Sequence, residues 1–581
     1  MSTSATQNNN PQPAQNSEEE LTNGIRMMVR ALKDNGFDTI YGIVGIPVSA
    51  IAFWAQKEGM KYYGFRFEQQ AAHAAAIAGY LTKKPGICLT VSGPGFLNGL
   101  TGIANANVNC FPVIQLGGSS TRSIEDLQQG DYEGIDQMNV AKPFVKESYR
   151  IDHVEDIPIG VARAIRAASS GRPGAVYLDM TTAMLGNQVP KSQVESLFFK
   201  VSDPAPAVVP STESVDHLLQ LLSQAKHPLI IFGKGAAYAQ ADEDIKTFVE
   251  TTGIPFLPMS MAKGLLPDNH PQCAASSRSL ALENADMILL VGARLNWLLD
   301  FGKGKHWNQK ALLGQIEIDP IEIDNTRPID APVVGDIVSA MKLILSEMPK
   351  YNIKPSSDWL EMIQKHNADS DAKFNALLQA PSYPLNYHTT LGVIKKVLDN
   401  YKDIILVNEG ANTLDDTRDA IDRFFPRTRL DCGTWSPMGI GMGYAIGAAT
   451  ATGKQVIAIE GDSAFGFSGM DVGTICRYNL PITVVVFNNG GIYKGDAVNP
   501  SGGPEPSPYT LDADAKYNMI MEAFGGAGYD VDKAEDLEKA LTEALASKKP
   551  AMINVKIDIH AGKESGHIGY LNPPLLPGIT C

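Results

Sequence analysis

The chain has 581 residues, 44% of them hydrophobic and 19% charged, a composition that suits a multi-domain globular protein and excludes a disordered chain, a collagen-like fibre and a disulfide scaffold. Lys and Arg number 49 against 64 Asp and Glu, a formal charge of −15. That balance argues against nucleic acid or an anionic membrane as the main partner, and it leaves room for a local basic patch that takes a small anion. The six cysteines, at 88, 110, 273, 432, 476 and 581, form no C-x-x-C pair and no zinc-finger spacing. They read as reduced thiols of a cytoplasmic protein.

Residues 1–20 are rich in Asn, Gln, Pro and Ser and lack the basic and apolar regions of a signal peptide, so they read as a disordered arm. No apolar run approaches the roughly 18 residues of a membrane span. In the first block, 21–200, β-rich runs at 38–45, 86–95, 111–118 and 174–180 alternate with helical stretches such as 68–82. A Pro-rich segment at 202–212 reads as a linker. The second block, 201–355, carries runs at 228–235, 285–294, 315–319 and 331–337. After a polar helical stretch near 356–380, the third block, 375–560, carries runs at 403–412, 454–462, 481–489 and 551–558. Residues 561–581 form a tail. Strands alternating with helices predict an α/β protein of three doubly wound domains with mostly parallel sheets. In such sheets ligands bind beyond the carboxyl ends of the strands.

Two motifs occupy those ends. Gly461-Asp462-Ser463 follows the run VIAIE, and Asn488-Asn489-Gly490-Gly491 closes the run ITVVVF. An Asp, an Asn oxygen and the Gly491 carbonyl are hard oxygen ligands, suited to a Mg²⁺ that shares its octahedron with phosphates. The small residues let the backbone approach a diphosphate. Either motif alone is a common turn. Together, each behind a strong strand, they are similar to the thiamine diphosphate signature, Gly-Asp-Gly followed about 25 residues later by Asn-Asn, with Ser463 in place of the third glycine. Glu68 stands between a strand and an Ala-rich helix. Alone it reads as a helix N-terminal acid stabilised by the dipole; beside the diphosphate motif it is the candidate carboxylate for N1′ of the cofactor's pyrimidine, where it promotes the imino tautomer.

From about residue 21 to 573 the chain resembles the oxalyl-CoA decarboxylase family of thiamine diphosphate-dependent enzymes, in stretches such as PGFLNGL, DLQQGDYEGIDQMN, PFLPMSMAKGLLPDNHP, LVNEGAN, EGDSAFGFSGM, NNGGIYKGD and ESGHI. The resemblance implies that Ile46, Tyr387, Ala411, Asn412, Thr413, Ser436, Pro437, Met438 and Ile492 line the cofactor, with Met438 as its apolar support. It puts Gly461, Asp462 and Ser463 on the diphosphate, and Asp462, Asn489 and Gly491 on Mg²⁺. Tyr132, Glu133, Tyr493 and Ser565 would line the reacting centre, where the Tyr and Ser hydroxyls can hold a water and the substrate carboxylate. In the middle domain it implies ADP as an activator, held by Arg172, Lys234 and Arg294, by Glu317 or Asp319 on the ribose, and by Asp336 and Ile337 at the adenine. Ala275, Ser276, Ser277, Arg278 and Ser279 match a segment that contacts CoA, and the C-terminal tail would cover the CoA site. Glu68 of one chain would serve the diphosphate site of another, so a homodimer is the minimum and a homotetramer is implied.

Two positions depart from the family. Phe67 stands in Arg66-Phe67-Glu68 where relatives often have His, and Ser436-Pro437 stands in GTWSPMG where they have Gly-Val. Phe67 removes an imidazole beside Glu68, and Pro437 removes an N–H near the aminopyrimidine. The implied reaction is decarboxylation of oxalyl-CoA to formyl-CoA. The alternatives are a 2-hydroxyacyl-CoA lyase and, in another class, a catalytically silent cofactor-binding subunit. No Walker A, H-E-x-x-H or G-x-S-x-G motif supports other chemistry.

Overall fold

The computed structural model describes residues 19–563. Residues 1–18 of the expected arm, and the tail from 564 onward with Ser565, lie outside the described residues. Three parallel sheets carry the fold. The N-terminal sheet orders its six strands as 61–64, 39–42, 86–90, 113–119, 175–181 and 147–151. The middle sheet has five, 256–258, 228–232, 287–291, 312–317 and 331–334. The C-terminal sheet has six, 429–431, 405–408, 456–461, 482–488, 551–556 and 527–531. A two-stranded antiparallel pair, Leu21–Asn23 with Gln188–Pro190, straps the N-terminal domain.

Each expected run forms a strand, because continuous Val, Ile and Leu are buried on both faces of a parallel sheet. The edge strands Lys61–Gly64, Glu147–Ile151, Phe256–Pro258, Arg429–Asp431 and Ala527–Val531 were not among the expected runs; they are short, and several carry polar residues. Relative to chain order, the N- and C-terminal sheets repeat one strand order, in which the first strand lies between the second and third. Each therefore has a switch point beside its first strand, where adjacent connections leave in opposite directions.

The two outer domains join through helices Glu68–Thr82 and Gly441–Thr452. Ala71, Ala72, Ala74, Ala75 and Ala76 are fully buried. A Cβ on Gly447 would stand 2.4 Å from the Ala74 carbonyl, and one on Gly443 2.7 Å from His73 Cβ. Small residues thus let the two backbones touch. His73 is buried here, and desolvation holds its pKa down at about 3, so it stays neutral. Helix Ser357–Gln379, the polar stretch between the second and third blocks, buries Trp359, whose indole donates to the Pro228 carbonyl at 2.8 Å. The five described cysteines are free, and no helix among the described residues is long and apolar enough to cross a membrane.

Candidate active site

At the C-terminal switch point, strands 405–408 and 456–461 run side by side and 482–488 flanks the second. Asp462 leaves the end of its strand into a short helix and is almost fully buried. Its Oδ1 accepts the Ser463 N–H at 2.7 Å, and its Oδ2 accepts those of Gly490 and Gly491 at 2.8 and 3.2 Å. The two sequence motifs are therefore one hydrogen-bonded unit. Burial raises the Asp462 carboxyl to about 6, against the pull of those N–H groups. Asn489 is also buried, and its Nδ2 donates to the carbonyls of Tyr493 (2.8 Å) and Ala561 (3.0 Å). Both donor hydrogens are thereby spent on carbonyls, and the end of the amide left to meet a cation is its oxygen, an acceptor. A carboxylate, an amide oxygen and a glycine carbonyl make a hard-oxygen set of the kind a small divalent cation takes. Among the described residues no group of three or more His, Cys, Asp or Glu could hold a metal, so a cation here would need the mixed donors and a ligand's own oxygens.

The expected diphosphate cradle is lined by small groups. A Cβ on Gly461 would meet Thr413 Oγ1 at 3.3 Å, and one on Gly410, at φ +117°, would meet the Gly461 N at 3.4 Å. Ala411 caps the helix Asn412–Ala420, and Asn412 Oδ1 accepts the Lys563 N–H at 3.1 Å. Tyr387 is buried against Phe487, ring centroids 5.7 Å apart. Met438, Ile492 and Ser436 reach the surface of this end, Met438 at 39% exposure, and Pro437 lies between Ser436 and Met438. Ser436 (φ +52°) and Tyr493 (φ +74°) hold left-handed backbone, as does Glu133 (φ +53°). Such strain in non-glycine residues concentrates at functional sites, and three residues of the expected site share it.

The N-terminal switch point carries the other half. Glu68 starts its helix, 8% exposed, and Asn98 Nδ2 donates to its Oε2 at 3.1 Å. A Cβ on Gly95 would stand 3.2 Å from Glu68 Oε1. Phe67 caps the helix and is half-buried. Ile46 projects from the turn after strand 39–42, 67% exposed. Glu133 Oε2 accepts from Ser92 Oγ at 3.1 Å. Tyr132 is exposed, and the charge of Glu133 raises its phenol pKa. Sequence reasoning missed Asn98 and Ser92. Both sit in the turn and helix that follow strand 86–90, where position alone marks them.

A cavity of about 650 Å³ lies between the N-terminal and middle domains, lined by Arg172, Lys234, Arg294, Glu317, Asp336 and Ile337. Of the two candidate ribose acids, Glu317 lines it; Asp319 does not and instead caps a turn through the Ile321 N–H. Arg172 bonds Glu322 at 2.7 Å and reaches Glu317 at 3.4 Å. Lys234 Nζ donates to Asn109 Oδ1, and burial draws its pKa down to about 8. Lys83, Lys84 and Tyr238 also line the cavity, a basic pair and a ring that no motif signalled. In the CoA-matching segment, Ala275–Ser277 is a single turn and Arg278 and Ser279 begin a short helix. Ser276 bonds Asp371 at 2.6 Å on the surface. Ser277 is fully buried with its hydroxyl on Asn367, and Arg278 donates to the Leu298 carbonyl.

Two topologically matched α/β domains, one with the buried Glu68 at its switch point and one with the Asp462 unit, accompany a third that lines a cavity of about 650 Å³. Family models match each part: the N-terminal TPP binding domain of thiamine pyrophosphate enzymes at 22–140, their central domain at 215–344 and their C-terminal TPP binding domain at 417–555. The chain belongs to the thiamine pyrophosphate enzyme family. Within it, the chain is 54% identical over 559 residues to the oxalyl-CoA decarboxylase of Escherichia coli (strain K12), a match covering 96% of this chain and 99% of that one. It is 40% identical to the 2-hydroxyacyl-CoA lyase of Arabidopsis thaliana (94% and 98% covered) and to 2-hydroxyacyl-CoA lyase 1 of Homo sapiens (96% and 98%).

Proposed function

We propose that the chain catalyses the thiamine diphosphate-dependent decarboxylation of oxalyl-CoA to formyl-CoA and CO₂. The observation that carries this reading is the end-to-end 54% identity with an oxalyl-CoA decarboxylase, well above the 40% shared with the lyases. Asp462, Asn489 and the Gly491 carbonyl would hold Mg²⁺, and the N–H groups after Gly461 would face the diphosphate. When bound, the cofactor supplies the electron sink for the departing carboxylate. Glu68, steadied by Asn98, would hold the pyrimidine N1′ in the activated tautomer. The hydroxyls of Tyr132, Tyr493 and Ser565 would hold the substrate carboxylate, and these residues with Glu133 would hold a water. As the C–C bond breaks and CO₂ leaves, the electron pair ends in the C–H bond of formyl-CoA and the proton comes from that water.

In the same reading ADP occupies the cavity at Arg172, Lys234 and Arg294, the CoA lies near 275–279, and the protein works in the cytoplasm. Two copies complete each site. Among the described residues no hydrogen bond joins Glu68 or Asn98 to the Asp462 unit, and Phe53, Tyr132, Phe467 and Met470 are each more than half exposed, which supports a covered face.

The test is to incubate the protein with thiamine diphosphate, Mg²⁺ and oxalyl-CoA and follow formyl-CoA by chromatography, with a 2-hydroxyacyl-CoA in parallel. Formyl-CoA from oxalyl-CoA is the expected result. Turnover of the hydroxyacyl-CoA alone would move the chain to the lyases and make Phe67 and Pro437 the first positions to change.

A further inference from the structure

Glu409 follows the strand Ile405–Asn408 and is 1% exposed. Its partners are backbone N–H groups: Gly439 donates to Oε1 and Gly441 to Oε2, the second at 2.7 Å. The same backbone is gripped from the opposite side by the helix that begins with Glu68. Gln69 Nε2 donates to the Met438 carbonyl at 3.3 Å and Gln70 Nε2 to the Gly439 carbonyl at 2.6 Å, while Gln70 Oε1 accepts the Gly443 N–H at 3.0 Å. There is no room for this run to slide. Gly439 sits at φ +82°, with Phe467 2.7 Å from where its Cβ would be, and a Cβ on Gly441 would stand 1.7 Å from Glu460 Oε1.

Residues 438–441 are thus fixed on both edges, their N–H groups by Glu409 and their carbonyls by Gln69 and Gln70. Met438, the apolar support of the cofactor pocket, stands at the start of this run. The opposing grip comes from the residues right after Glu68 of the same chain, whose carboxylate in the two-copy reading serves the other copy's site, so one clamp ties the apolar support of one site to the helix that carries the pyrimidine acid of the other. We propose that Glu409 is a positioning residue for the reaction, holding Met438 in register with the start of the Glu68 helix through two backbone N–H groups. Its hydrogen-bond partners are main-chain groups, so it acts through Met438, and the proposal rests on the thiamine diphosphate reading above.

A glutamine at 409 has one acceptor oxygen, so Glu409→Gln turns an NH₂ group toward one of the two N–H donors. Gln70→Ala loosens the opposite grip and leaves the carboxylate in place, which guards against a misfolded Glu409 variant. For wild type and both variants, the measurements are thiamine diphosphate–Mg²⁺ affinity by calorimetry, the near-ultraviolet circular dichroism of the bound cofactor, kcat and KM for oxalyl-CoA at saturating cofactor, and the urea midpoint of the apo protein. The expected result is a kcat lower by about 10- to 100-fold in Glu409→Gln at saturating cofactor, a smaller loss in Gln70→Ala, KM within about twofold of wild type, and an altered cofactor dichroism. Full recovery of kcat in both variants at saturating cofactor, or a loss that tracks only the unfolded fraction, would overturn the proposal. Failure of the wild-type chain to bind thiamine diphosphate would overturn the functional reading beneath it, and the same titration separates the two failures.

Discussion

The N- and C-terminal domains build the same parallel sheet in the same strand order, yet their switch points are furnished differently. The C-terminal one is made of backbone: three N–H groups converge on the buried Asp462, and two carbonyls orient Asn489. The N-terminal one is made of side chains, with Asn98 on Glu68 and Ser92 on Glu133. A metal–diphosphate site must offer several fixed dipoles at once, and main-chain groups cost no side-chain ordering. An acid that meets one ring nitrogen needs a single oriented carboxylate, which one amide can steady. The N-terminal end should therefore yield to single substitutions in graded steps, and the C-terminal end should fail as a unit.

The largest effect falls on that unit. Asp462→Ala removes the acceptor for three N–H groups and, in the proposed reading, a metal ligand, so cofactor–metal affinity should drop by roughly 100-fold or more and turnover with it; calorimetry with and without Mg²⁺ checks this. On the other side, Glu68→Gln should lower kcat on the order of 10²–10⁴-fold with the fold and cofactor affinity largely kept. Wild-type rates in that variant would break the comparison. Asn98→Ala should sit below it, lowering kcat by about tenfold through a misplaced Glu68. Gly441→Ala places a methyl against the Glu460 carboxylate and should cost about 1–3 kcal/mol of stability, read from denaturant midpoints.

The smallest effect belongs to the middle domain. Lys234 lies among Arg294, Asp431, Cys110 and Cys432, and burial draws its pKa down to about 8. A lysine holds an anion only while protonated, so with ADP in this cavity as proposed, its affinity should be full below that value and weaken as pH rises through about 8. Titration calorimetry across that range checks it, and Lys234→Met should flatten the dependence.

How much was legible follows from the kind of signal. The core strands announce themselves because a parallel strand buried on both faces must be apolar throughout. The edge strand Lys61–Gly64, which feeds the turn to Glu68, does not, because one side of it has no neighbour and its residues are only partly buried. Asp462 and Asn489 were legible as a pair because strand, turn and ligand types coincide twice. Glu317 and Asp319 were not separable, because residues two apart on a continued strand would share one face; in the fold the strand ends at Glu317, which lines the cavity, while Asp319 caps the next turn and reaches Arg172 only at 3.7 Å.

Taken by itself, the amino-acid sequence determined the α/β class, the three-block order and the diphosphate motif. These are local facts of periodicity and of residues adjacent in the chain. Tertiary structure decided that Gly490 and Gly491 close on Asp462, that Gln70 and Glu409 share one stretch of backbone, and that Lys234 meets Asn109. Those partners lie tens to hundreds of residues apart, and no local preference selects them. The first is set by the pairing of neighbouring parallel strands, the second by the close packing of helices faced with alanine and glycine, and the third by contact between the middle and N-terminal domains.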